Sequence, residues 1–166
     1  TLSDLLDEVG SDALRYFYVA KSLSTHMDLD LDLMKQKSNE NPVFYAQYAH
    51  ARICSIARQL AEAGISAVSA SELELDTLAA PEELALIKKL GEYPELIARA
   101  ARERAVHSVA TYTYELATLF HSFYNQCRIL GVDTDLQQAR IALVKAVGHT
   151  IRHALGILGV SAPERM

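Results

Sequence analysis

The sequence is poor in the residues from which disulfide frameworks, zinc sites and phosphate-binding loops are built. Its 166 residues include two cysteines, Cys54 and Cys127, seven scattered glycines and no tryptophan. Each cysteine lies in an apolar helical pattern without a nearby thiol or histidine cluster, which favours a reducing compartment, and hence the cytoplasm, over a disulfide or zinc scaffold. A phosphate loop needs clustered glycines before a helix, so that backbone amides can approach the phosphate. The sequence has no such cluster and no other catalytic signature.

Long apolar runs are also lacking. No stretch approaches the roughly 18 consecutive apolar residues of a membrane span, and no basic-then-apolar leader is present, so we expect no membrane association. Half of the residues are hydrophobic and 22% are charged, a composition sufficient for one domain with its own core. The first residue is Thr rather than Met, and we therefore expect a fragment or a processed product.

The charge is unevenly distributed along the chain. Residues 1–95 carry 16 acidic and 8 basic side chains, whereas residues 96–166 carry 5 acidic and 8 basic ones, within a net charge of −5. A uniformly basic surface for nucleic acid is excluded. An RNA partner would have to use a local site.

The apolar pattern is helical almost throughout and predicts an all-α antiparallel bundle. Alternation in residues 24–32 resembles a strand, but an isolated strand has no partner, so we expect an extended connection there. A polar, small-residue segment over 65–80 predicts a surface loop. Pro94 is expected to interrupt a helix. The predicted helices cover residues 1–10, 12–23, 31–38, 42–64, 81–93, 95–105, 107–130 and 135–158.

Two side-chain clusters have both a functional and a structural interpretation, and the structural one is favoured for each. His149 and His153 have the four-residue spacing of metal ligands, but no third ligand accompanies them, which favours an ordinary pair on a helix face. Arg99, Arg102 and Arg104 could contact phosphate, but a solvated basic face is the favoured interpretation, because charge runs are usually solvated.

The start of the helix over 42–64 is more distinctive. Tyr45, Tyr48 and Arg52 fall within roughly 60° of one another on a helical wheel, beside the core positions rather than among them. Aromatic rings and a guanidinium together can hold an unstacked RNA base. Tyrosines beside a core can instead simply cover it, and both interpretations stay open on spacing alone.

These residues belong to the string "NENPVFYAQYAHARI", which closely resembles the signature of the anticodon-binding domain of arginyl-tRNA synthetases. The opening "TLSDLLDEVGSDALRYFYVAKS", with its Asp-Ala-Leu-Arg string at 12–15, and the closing "LGILGVSAPERM" resemble the corresponding segments of that family. The Asp-Ala-Leu-Arg string alone is less specific, since cysteinyl-tRNA synthetases carry related domains. The resemblance extends over the whole chain.

The resemblance implies the helical anticodon-binding domain of a class I aminoacyl-tRNA synthetase, over residues 11–166, after a connecting segment, 1–10. Its partners would be arginine tRNA and the enzyme's own catalytic domain, in a monomer that binds no DNA. The catalytic domain, with ATP and magnesium, would lie outside this chain, because the His-Ile-Gly-His and Lys-Met-Ser-Lys-Ser-like signatures are missing. The chain itself would then hold no cofactor, no metal and no active site.

By matching position, the resemblance implies that Tyr45, Tyr48 and Arg52 line the anticodon pocket and that Met166 approaches it. Arginine tRNAs nearly all share a central anticodon C. We expect Met166 beside Tyr48, with a terminal carboxylate near Arg52 that accepts a hydrogen bond from the exocyclic amine of cytosine. His50 points away from this stripe, and we interpret it as a structural residue that bonds to a neighbouring segment.

Two alternatives belong to other classes. The acidic first half would suit a structural or interaction module of the same fold without RNA binding. An enzyme in its own right would require a nucleophile, metal or phosphate motif that the sequence does not show. Convergence of Tyr45, Tyr48 and Arg52 near the C-terminal residues on an exposed surface would favour RNA binding over the structural module.

Overall fold

The computed structural model describes residues 1–22 and 24–166, which contain helices and no strand. The prediction of an all-α fold is therefore confirmed. The seven α-helices of the described residues are α1 (Leu2–Val9), α2 (Ser11–Val19), α3 (Leu31–Lys35), α4 (Pro42–Glu62), α5 (Pro81–Glu103), α6 (His107–Gln126) and α7 (Thr134–Leu158). The predicted loop over 65–80 contains only two short 3₁₀ turns, Ala70–Glu72 and Leu75–Thr77.

Helices α4 to α7 form the main bundle, and α1 to α3 form a small layer beside it. Helix α4 begins with Asn41 as its N-cap and Pro42 in its first turn, as the sequence predicts. It packs on both α6 and α7, while α5 packs along α6. The predicted core positions of α4, Ala49, Ile53, Ile56 and Leu60, are all buried. Helix α2 joins this core through Ala13, Leu14 and Tyr16.

Pro94 does not interrupt its helix, and that prediction is wrong. Helix α5 runs through it from Pro81 to Glu103. A proline removes one backbone hydrogen bond and crowds the preceding turn. The ring of Pro94 is exposed, while Leu86 on one side of it and Leu96 and Ala100 on the other are buried against the bundle. Tertiary packing of both halves therefore keeps the helix continuous.

Several predicted helix ends shift by a few residues. Helix α1 covers Leu2–Val9 instead of 1–10, with Thr1 as its N-cap, and α6 ends at Gln126 instead of Leu130. Asp133 caps α7 by accepting a hydrogen bond from the amide of Asp135, 3.0 Å away. Helix α2 ends at Val19. Leu23, where its predicted helix ended, lies outside the described residues.

Helix α7 is the central helix of the bundle. It is the one helix in the described part of the chain that is long and apolar enough to cross a membrane by length and composition, with half of its most apolar window buried in the protein. It packs against α4, α5 and α6, which accounts for its apolar character. At Gly148, α7 comes so close to α4 that an added Cβ would lie 2.7 Å from Cγ2 of Ile53.

A buried ion pair connects α5 to α7. Arg140 donates from Nε to Oε1 of Glu83 at 2.6 Å, and its Nη1 donates to the carbonyl of Arg128 at 2.5 Å. The second carboxylate oxygen of Glu83 accepts the amide of Ala80 at 2.7 Å and so completes the N-terminus of α5. Both side chains are buried, and each makes a further hydrogen bond besides the ion pair, which favours toleration of a buried pair.

Candidate nucleic-acid interface

Tyr48 and Arg52, one turn apart on α4, line an open cavity of about 410 Å³. Tyr124 of α6 lines the same cavity, and so do Arg165 and Met166 from the C-terminal residues. We call this space the α4–α6 cavity. Tyr48, Arg52 and Met166, three of the four predicted site residues, thus converge on one surface.

Arg52 lies between two aromatic rings. Its Cζ is 4.8 Å from the ring centroid of Tyr48 and 4.5 Å from that of Tyr124, and its Nη2 donates to the Tyr48 hydroxyl. Cation–π contacts with both rings hold the guanidinium in place. Among the described residues, Tyr48 is its only hydrogen-bond acceptor, so several N–H groups are available to a ligand.

The cavity is positively charged although the chain is acidic. Its lining includes three guanidinium groups, those of Arg52, Arg58 and Arg165, and within the described residues no carboxylate side chain lines it. A local basic site of this kind is what an RNA partner requires on a protein of net charge −5.

The rings differ in how open they are. Tyr48 is half-buried between Phe44, whose ring is nearly parallel at 6.2 Å, and His121, at 5.7 Å. Tyr124 is more open, with 36% of its surface exposed. A planar ligand therefore has access to Tyr124 and to the N–H groups of Arg52 that do not bond to Tyr48, with Tyr48 as their support.

Tyr45 does not line the cavity. Its ring packs 4.5 Å from that of His121 and 5.5 Å from that of Tyr114, and burial raises the pKa of its hydroxyl. Since His121 also contacts Tyr48, Tyr45 supports the wall of the cavity from behind. Of the predicted site residues, it is the one that the structure places outside the lining.

His121 is an uncharged part of this stack. Burial lowers its pKa, and the positive charge of Arg52 lowers it further. The ring is therefore neutral near pH 7, which avoids a second cation beside the guanidinium. Its Nε2 is buried and has no hydrogen-bond partner among the described residues.

The prediction for His50 is confirmed. The side chain is 1% exposed, and its Nδ1 lies 3.0 Å from the carbonyl oxygen of Pro163. It is a structural residue on the side of α4 away from Arg52. The expected pairing of Arg52 with a Met166 carboxylate is not present in the described part of the chain, where Arg52 instead contacts Tyr48 and Tyr124.

One histidine of the pair on α7 contacts another helix. Nδ1 of His153 lies 2.9 Å from the hydroxyl of Tyr93 on α5. The described residues contain no group of three or more histidine, cysteine or acidic side chains that could hold a metal ion.

Sequence reasoning missed Tyr124, His121 and Arg165. The aromatic residues of α6 recur in "FHSFYNQC", but the helical pattern alone does not say which α6 side chain faces α4. That assignment needs the packing of the two helices.

The fold defines the class as an all-α bundle with an open cavity lined by aromatic and arginine side chains. The chain belongs to the DALR anticodon binding domain family, whose model matches residues 46–166. It is 55% identical over its whole length to the arginine–tRNA ligase of Symbiobacterium thermophilum and 50% identical to that of Carboxydothermus hydrogenoformans. In each case it spans 30% of the relative's length.

Solved structures agree with this assignment. A putative arginyl-tRNA synthetase from Campylobacter jejuni superposes with a TM-score of 0.88 at 30% identity, over 99% of this chain and 35% of that one. The Thermus thermophilus arginyl-tRNA synthetase gives a TM-score of 0.79 at 30% identity, over 96% of this chain and 27% of its own.

Proposed function

We propose that this chain is the anticodon-binding part of an arginyl-tRNA synthetase and that the α4–α6 cavity receives a base of the anticodon loop of arginine tRNA. The observation that carries the proposal is the convergence of Tyr48, Arg52, Tyr124 and Met166 on one open, positively charged surface. The sequence identity to two arginine–tRNA ligases, 55% and 50% over the whole chain, supports it.

The side chains suit a single splayed-out cytosine. Stacking on an aromatic ring or guanidinium contributes about 1–3 kcal/mol per base. The free N–H groups of Arg52 can donate to N3 and O2 of cytosine, both of which are acceptors. Uracil carries an N–H at position 3, so the same donor would face another donor, and an unpaired buried donor is costly. The cavity therefore has the chemistry to prefer C over U.

The proposal extends to the protein of which the chain would be a part. The rest of that protein would hold ATP and magnesium and attach arginine to the tRNA. Residues 1–10 would connect that part to the helical domain, 11–166. We place the protein in the cytoplasm as a monomer without DNA or membrane partners.

Binding of an anticodon stem-loop RNA to this chain tests the proposal. The RNA with the central arginine C should bind more tightly than the same RNA with U. Tyr124→Ala should weaken binding by about 1–3 kcal/mol, through loss of the exposed aromatic face. Arg52→Lys should reduce the preference for C, because an ammonium lacks the planar fork. Tyr18→Ala, an exposed tyrosine of α2, and Arg99→Lys are the matched controls.

The salt dependence provides a second measurement. Contacts from three guanidinium groups to a single-stranded loop predict a slope of log K against log salt of about −2. The alternative, a structural module without RNA binding, predicts no preference for C over U and equal behaviour of all four variants. That result would overturn the proposal.

A further inference from the structure

The last seven residues, Val160–Met166, which we call the tail, contain no helix or strand, yet their backbone is tied to the bundle. After Gly159 ends α7 in a left-handed conformation, with φ of 68°, the tail runs along α4. Chain ends without such ties are usually disordered. Here side chains of α2 and α4 bind main-chain groups of the tail at three residues.

Asp12 and Gln47 hold the tail at Ser161. The amide of Ser161 donates to Oδ1 of Asp12 at 3.2 Å, and its hydroxyl donates to Oδ2. Nε2 of Gln47 donates both to Oδ2 of Asp12, at 2.8 Å, and to the carbonyl of Ser161, at 3.0 Å. One carboxylate thus joins α2, α4 and the tail.

His50 holds the tail two residues further on. A carbonyl can only accept, so Nδ1 of His50 is the donor to Pro163 at 3.0 Å. Nε of Arg152 on α7 donates to Nε2 of His50 at 3.3 Å, so this nitrogen is the acceptor. A single neutral tautomer satisfies both contacts, and it does so in a site where the ring is buried.

Arg58 makes the last contact before the cavity. Its Nη1 donates to the carbonyl of Glu164 at 3.3 Å. Gln47, His50 and Arg58 lie within roughly 80° of one another on α4, and Arg58 is the one of the three nearest in angle to Tyr48.

The next two residues line the α4–α6 cavity. Arg165 and Met166 follow Glu164 directly and contribute a guanidinium and a thioether to the lining. Met166 is 55% exposed, so its own burial holds it weakly. Its place beside Tyr48 and Arg52 depends on the contacts that fix the tail upstream.

We propose that Asp12, Gln47 and His50 are positioning residues for base selection: they hold residues 160–164 so that Arg165 and Met166 form one wall of the cavity. The proposal rests on the proposed function. It also assigns a role to Asp12, the first residue of the Asp-Ala-Leu-Arg string, which contacts the tail rather than the cavity.

The test uses two variants and two matched controls. His50→Ala removes both ring contacts, and Asp12→Asn places an amide N–H against donors. Asp7→Asn makes the same change on an exposed carboxylate of α1, and Thr113→Ala removes a buried hydroxyl that donates to Val109 on α6. Amide hydrogen exchange of the tail, the affinity ratio for stem-loops with central C or U, and unfolding are measured for each.

Both variants should speed exchange of the Ser161 amide by about fivefold or more, the effect of losing one hydrogen bond of ordinary strength. They should also lower the C-over-U ratio by roughly threefold or more, if the wall is loosened to a similar extent. His50→Asn, whose amide can donate near the position of Nδ1, should retain more of the ratio than His50→Ala. The controls should leave the exchange of the tail and the ratio unchanged.

Two results would overturn the inference. Faster exchange of the tail with an unchanged C-over-U ratio would show that its position does not matter for selection. Unchanged exchange would show that these side chains do not hold it. Failure of the proposed function is a separate outcome, visible in the unmodified chain as equal binding of the two RNAs, and it would remove the basis of this inference as well.

Discussion

The close approach of α4 and α7 at Gly148 leads to a prediction with a control in the same helix. A Cβ at Gly148 would lie 2.7 Å from Cγ2 of Ile53, whereas a Cβ at Gly156 would meet no atom within 4 Å. Replacing glycine with alanine in a helix is worth about 1 kcal/mol in propensity at either site. Overpacking at Gly148 costs about 1–3 kcal/mol. Gly156→Ala should stabilise the chain, and Gly148→Ala should not.

The difference between the two variants isolates the packing cost, because both share the gain in propensity. It should be about 1–3 kcal/mol, which corresponds to roughly 2–4 °C in melting temperature per kcal/mol for a chain of this size. Urea unfolding followed by circular dichroism measures it. In an Ile53→Ala background, which lacks Cγ2, Gly148→Ala should lose its penalty. Equal stability changes at the two glycines would refute the reasoning.

Three further predictions concern stability and protonation. Pro94→Ala should raise the free energy of unfolding, by up to about 3 kcal/mol, because the proline lies inside a continuous helix; a lower value in urea unfolding would mean that the proline shapes α5. Arg140→Met should lower the free energy of unfolding by about 3–5 kcal/mol, because it leaves the Glu83 carboxylate buried without its partner. Adding Glu83→Leu should recover much of this loss. No recovery would argue against an uncompensated charge as the cause. The pKa of His121, followed by NMR, should lie below 6.5, and a pKa of 6.5 or higher would contradict its burial. Because the unfolded state then binds the proton more readily, this histidine's contribution to stability is present above pH 6.5. It is lost as the pH falls through the pKa of the folded state.

Local spacing determined most of the helices and half of the site in advance. The pattern of Ala49, Ile53, Ile56 and Leu60 defines the buried face of α4, because helical geometry alone places them in line. The same geometry places Tyr48 and Arg52 beside each other, and the structure has their side chains in contact. Proline misled the prediction at position 94, where a local cost is outweighed by the burial of both flanking segments.

Tertiary structure alone decided what faces Arg52 and what holds the tail. Tyr124 is more than 70 residues from Arg52 in sequence, and Ser161 is farther still from Asp12, so no helical period relates either pair. Tyr45 shares the sequence stripe of Tyr48, but its ring turns to His121 and Tyr114 of α6 because that helix packs over it. Helical spacing fixes neighbours only within about one turn of the same helix. Contacts between helices follow from how whole apolar faces pack, and the tail takes its place only after α2, α4 and α7 have assembled.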